Sequence, residues 1–133
     1  MRDLSDLWFR LPGATSESIA ELRSEFGDSL PESYCEFLSW SDGGEGSLSV
    51  QPYNLCLDSA PDTVRHWRDA TYQEFFPGFI VIGSNGAGEY IAFDTRSTAP
   101  WPVVALDMTN SNLTESVLPI ASTFDELVDL ICD

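Results

Sequence analysis

Lysine is missing from the chain, and histidine occurs once, at His66. All six bases are arginine; they face 22 acids, which sets the formal net charge at −16 over 133 residues. Beyond Arg96 there is no base, while Asp107, Glu115, Asp125, Glu126, Asp129 and Asp133 all follow. A field of that sign repels phosphate backbones, so direct nucleic-acid binding is not expected, and anionic membrane surfaces are disfavoured for the same reason. Cysteine is scarce. Cys35, Cys56 and Cys132 are odd in number, widely spaced and without a C-x-x-C pair, which argues against a disulfide framework and for a reducing compartment. No apolar run approaches the roughly 20 residues of a membrane helix. Asp3 and Asp6 interrupt Leu4, Leu7, Trp8 and Phe9, so the N-terminus does not read as a signal peptide. The expected location is the cytoplasm. With a single histidine, a metal cluster would have to rest on carboxylates or cysteines, and neither metal nor cofactor is expected.

What is present is enough for a core. A hydrophobic share of 43% with four tryptophans suits one domain. Residues 1–15 read as a lead-in ended by Pro12-Gly13, and 16–133 as a single domain. Within the lead-in, Trp8 and Phe9 are both expected to fold back on the body, because exposing them is costly. The organising stretch is Phe79 to Asp94, FIVIGSNGAGEYIAFD. A β-branched run, then glycine and asparagine turn chemistry, then an alternating segment predict a hairpin. Tyr90, Ala92 and Asp94 share one face of its second strand, and Ile91 and Phe93 the other. Val103 to Leu106 predicts a third strand.

Helices flank this centre. Thr15 to Ser18 offers several capping oxygens, with Ser18 and Glu21 at capping-box spacing, and Ile19, Leu22 and Phe26 form an inner face that stops at Gly27. Ser29-Leu30-Pro31-Glu32 predicts a second start with Ser29 as the cap, followed by a stripe of Tyr34, Phe37, Leu38 and Ser41. Gly46 to Leu57 alternates weakly around Pro52, as one edge strand or a bulged pair. Asp58 to Pro61 opens a third helix with Val64, Trp67, Tyr72 and Phe75 inside, ended by Pro77-Gly78. Asp107 to Glu115 is polar and irregular. Thr123 to Glu126 is a capping box for a last helix that buries Phe124, Leu127, Val128 and Ile131. Helices first, strands in the middle and a helix at the end define an α+β fold.

The joint order of these signals resembles a known family. A leucine-proline helix start with Tyr34, Phe37 and Leu38, the Gly43-Gly44 stop and the I-G-S-N-G-A-G-E-Y-I-A-F-D hairpin occur in sequence. A proline-led strand and the closing Ser122-Thr123-Phe124-Asp125-Glu126-Leu127 helix complete the set. Together they resemble the Smi/Knr cell-wall-regulator family, the SUKH superfamily, over roughly Ser16 to Ile131. The resemblance implies a central, largely antiparallel sheet with helices packed against it. It also implies a binding role: bacterial members are similar to immunity proteins that neutralise polymorphic toxins, often nucleases, and eukaryotic relatives resemble regulatory scaffolds. The segment from Gly46 to Tyr72 departs from the family pattern.

Enzyme readings are weaker. Gly83-x-x-Gly86-x-Gly88 has neither dinucleotide nor P-loop spacing and is followed by a strand, so it reads as a turn. Cysteine or serine catalysis would need a nucleophile beside His66, which reads as a helix-surface residue. Glu89, Asp94 and Asp107 lie on or near strands and are the residues of a carboxylate-based hydrolase, the remote alternative. Glu89 and Asp94 differ in strand parity and should face opposite ways. The expected protein is therefore a non-enzymatic binding module with a basic protein partner, a toxin domain. A regulatory or scaffold domain with a non-toxin partner is the alternative, and homo-oligomerisation is left open. The candidate contacts are Trp40, Asp42 and Glu45 at the second helix's end, Asn85 and Glu89 at the hairpin, and Trp101 between two prolines.

Overall fold

The computed structural model describes residues 2–133. Its elements run α1 Ser16–Phe26, α2 Glu32–Trp40, β1 Gly44–Leu48, β2 Asn54–Leu57, α3 Ala60–Arg68, β3 Phe79–Ser84 and β4 Glu89–Asp94. They continue with β5 Val103–Asp107, α4 Leu113–Ser116, β6 Val117–Ala121, α5 Phe124–Asp129 and β7 Ile131–Cys132. The strands form one sheet in the order β6-β5-β4-β3-β2-β1-β7, and every neighbouring pair is antiparallel. This is the α+β fold the sequence implies, with helices packed on a central antiparallel sheet.

Local chemistry explains most of the boundaries. The Thr15 side chain, not Ser18, caps α1 by accepting from the Ser18 N–H, and Gly27 ends the helix at φ 80°. α2 starts two residues later than the expected serine cap would place it. Pro31 stands at the cap position and no side chain caps the helix; the Pro31 carbonyl accepts from the Tyr34 and Cys35 N–H groups instead. Ser59 caps α3 through the Asp62 N–H, and Thr123 caps α5 through the Glu126 N–H. α3 stops at Arg68, so Tyr72 and Phe75 lie beyond it; Phe75 is exposed and Phe76 is the buried residue of that loop. Gly46 to Leu57 holds parts of two strands, a β1–β2 hairpin whose turn contains Pro52. β1 is no edge strand, since β7 pairs with its far side. Ile131 belongs to β7, not to the last helix.

The sheet has two unlike faces. On one, α1, α2, α3 and α5 pack against Leu48, Leu55, Leu57, Ile80, Ile82, Ile91 and Phe93 to form the main core. At its centre Tyr34, Phe37, Phe93 and Phe124 meet edge to face or tilted, with ring centroids 5.2–6.2 Å apart. The segment before α1 joins this core through Leu4 and Trp8. The indole lies across Gly44 and Gly46, and a Cβ on Gly46 would sit 2.6 Å from its ring, so only glycine leaves room there. Trp8 thus folds back as expected, whereas Phe9 does not: it bridges Glu45 and is 71% exposed.

The other face is covered over only half its width. Phe79, Val81, Ala92, Val104 and Leu106 form a second, smaller core with Phe76, capped by Tyr72, Leu113 and Val117. The register then places Glu45 opposite Cys56, Ser47 opposite both Asn54 and Cys132, and Cys56 opposite Ser84. Those side chains alternate with the buried leucines of β1 and β2, so they share this outer face. Glu45 and Ser47 are exposed. Among the described residues no element covers them.

Candidate functional site

Three of the six candidate contacts are joined by hydrogen bonds, Glu45 on the outer face and Asn85 and Glu89 at the adjoining hairpin loop. The Asn54 amide donates to Glu45 Oε2 at 3.0 Å, to the Asn85 carbonyl at 3.2 Å and to Cys56 Sγ at 3.5 Å. Asn85 in turn organises the hairpin loop. Its Oδ1 accepts from the Ala87 and Glu89 N–H groups at 2.9 and 3.0 Å, and its Nδ2 donates to Glu89 Oε1 at 3.2 Å. Glu45, Asn85 and Glu89 are therefore one network spread over β1, β2 and the β3–β4 loop. Asn85 is buried and shapes the loop, while Glu45 presents its carboxylate to solvent.

The other three stand elsewhere. Trp40 packs edge to face on Phe37 at 5.5 Å and carries the Arg10 guanidinium over its ring at 4.9 Å. Asp42 Oδ1 accepts from the Ala60 N–H at 2.7 Å, so it caps α3 from a distance of 18 residues in the chain. Trp101 leans on Phe93 at 6.1 Å and, with Pro31 and Phe124, lines a cleft on the helix side. Pattern reading also passed over Asn54 and Phe9. Asn54 was visible as the polar partner in an N-L-C-L alternation; Phe9 becomes legible only once its bridge to Glu45 is known.

The arginines explain why the acids here are uncompensated. Arg23 pairs with Glu32 at 2.6 Å, Arg65 with Asp62 at 3.0 Å, and Arg68 with Glu21 and Glu25 at 2.9 and 3.2 Å. Arg96 holds Asp94 through two bonds of 2.9 Å. Arg2 donates to the Val128 and Ile131 carbonyls, and Arg10 to the Trp40 carbonyl. Every base is engaged, and none joins the Glu45 network.

Of the three carboxylates named for a hydrolase, only two stand side by side. Glu89 and Asp107 are direct cross-strand partners, while Asp94 lies at the other end of β4 in its pair with Arg96. Hydrogen bonds from the Thr109 N–H and hydroxyl hold the Asp107 carboxyl below its ordinary range, and the Arg96 side chain does the same for Asp94. Neither is set up as a general acid. Asp58 is the carboxyl that burial pushes upward, against the opposing pull of His66. His66 Nδ1 lies 4.0 Å from Asp58 Oδ2 and is buried without a hydrogen-bond partner. The Cys56 thiol on the same face is pushed up by burial and by Glu45, the reverse of nucleophile activation. Among the described residues no group of three or more His, Cys, Asp or Glu side chains could hold a metal ion. No helix among them is long and apolar enough to cross a membrane.

Fold and surface together describe an α+β protein with a sheet face that carries an exposed carboxylate, Glu45, beside an exposed aromatic, Phe9. The chain belongs to the SMI1 / KNR4 family (SUKH-1), whose family model matches residues 13–130. Membership agrees with a protein-binding or immunity role. Comparison with curated proteins returns no match.

Proposed function

We propose that the protein is an immunity factor that neutralises a toxin domain, of the nuclease kind, by presenting carboxylates to the basic cleft with which the toxin grips phosphates. The reading rests on one observation above all, the partition of charge. All six arginines are tied to helix acids, to Asp94 or to backbone carbonyls, and Glu45 faces solvent with no base paired to it among the described residues. A nuclease cleft carries the complementary sign. Fields of this kind chiefly raise the association rate and are screened by salt, because the Debye length falls from about 10 Å at 0.1 M to about 3 Å at 1 M.

The test is stopped-flow association with a cognate nuclease-toxin domain, across a salt series. The on-rate should fall by about tenfold or more between low and high salt, as steered encounters do. A tight complex with a salt-independent on-rate would assign recognition to apolar surface and the acidity to solubility.

A further inference from the structure

We propose that the shallow groove along the far side of β1 is the docking surface for an arginine- or lysine-rich segment of a partner protein, with Phe9 as its aromatic contact. This inference rests on the basic-partner reading above and gives it a place. The groove follows from how β1 is paired. Phe9 bridges β1 at Glu45, and β7 pairs with it only from Ser47 onward, so the far edge of β1 is left without a strand partner at Gly46, between the two. The result is an open depression of about 410 Å³. Asp6, Glu45 and Asp133 stand around it, and among the described residues no base lines it.

Three facts select this surface and this occupant. Phe9 is the most exposed of the large apolar side chains among the described residues, at 71%, and it shares a face with Glu45 as its bridge partner. An aromatic ring beside carboxylates suits a guanidinium or ammonium group, which can stack on the ring while pairing with the acids. The acidic depression between α2 and α5 differs: Arg2 lies in it beside Glu36, Asp125 and Asp129, and it has no aromatic lining. A second copy of the chain would bring a net charge of −16 against the same carboxylates, so a partner of opposite sign is the better fit.

The experiment uses the full chain and a nona-arginine peptide at about 0.15 M salt, where distant charges are screened within about 8 Å. Amide shifts are followed by NMR and affinity by calorimetry. Shifts should centre on Phe9, Glu45, Ser47 and Asn54. Asp6→Asn with Glu45→Gln should weaken binding by about tenfold, whereas Asp125→Asn with Asp129→Asn, which removes equal charge from α5, should weaken it by less than about twofold. Phe9→Ala should weaken binding with the melting temperature unchanged, since that side chain is exposed. Equal losses from the two double variants would overturn the groove and leave the acidic-surface reading standing. Absence of any binding by the wild-type chain would overturn both. Self-association abolished by Phe9→Ala would make a second copy the occupant and overturn the proposal.

Discussion

One side of the sheet is dry from β7 to β5, and the other is dry only over β3 to β5. The difference lies in side-chain size and in where the chain has residues to spare. Helices α1, α2, α3 and α5 bring Leu22, Phe37, Val64 and Leu127 to the first side, and Trp8 fills the place over Gly44 and Gly46. The second side receives only the 69–77 loop and α4, whose Tyr72, Phe76 and Leu113 reach β3, β4 and β5. Over β1 and β2 the same sheet therefore carries Glu45, Ser47, Asn54 and Cys56. A covered face holds the fold together; a bare one is free to meet another molecule.

Three substitutions test that division, in falling order of expected effect. Phe37→Ala opens the aromatic centre between Trp8, Trp40 and Phe124 and should cost about 3–5 kcal/mol by urea unfolding. A cost under about 1 kcal/mol would mean that the helix-covered side is not the stabilising one. Gly46→Val forces a side chain into the Trp8 ring and should cost about 1–3 kcal/mol, with a red-shifted tryptophan emission as the indole is displaced. The smallest effect concerns Asp58. Its carboxyl is raised in the folded protein, so it contributes stability below its ordinary value of 3.8, and that contribution is lost as pH rises through the raised value. Asp58→Asn removes the titration, and urea midpoints measured from pH 4 to 7 should fall less with rising pH than those of the parent. An unchanged pH profile would show that burial at this position does not bear on stability.

Much of the dry side was legible in the sequence, because helical periodicity and capping residues report burial directly. Tyr34, Phe37 and Leu38 are buried as their spacing predicts, and Thr123 caps its helix. The central hairpin and β5 were legible through alternation and turn glycines. β6 was not: Pro119 interrupts the short Val-Leu-Pro-Ile-Ala run, which an edge strand tolerates. β7 is two residues long, too short to show any period, and it exists only because β1 offers a free edge. Of the candidate contacts, those whose roles depend on distant partners were hardest to place. Asp42 looks like a helix terminator in sequence and caps a different helix in space, a relation no local pattern can carry. Glu45, Asn85 and Glu89 meet through Asn54, whose amide takes three acceptors from different elements.

The pairing of β1 has a consequence for the order in which the protein is made. Its far edge is filled by Phe9 from near the start of the chain and by Ile131 and Cys132 from near the end. Arg2 reaches the same end, donating to the carbonyls of Val128 and Ile131. Contacts of such sequence separation form late, because the whole intervening loop must be closed before they are rewarded. During synthesis, at about 5–20 residues per second, the hairpin and helices can assemble while the β1 edge still waits for its last partner. The groove beside Glu45 is thus complete only after residues 131–133 have left the ribosome.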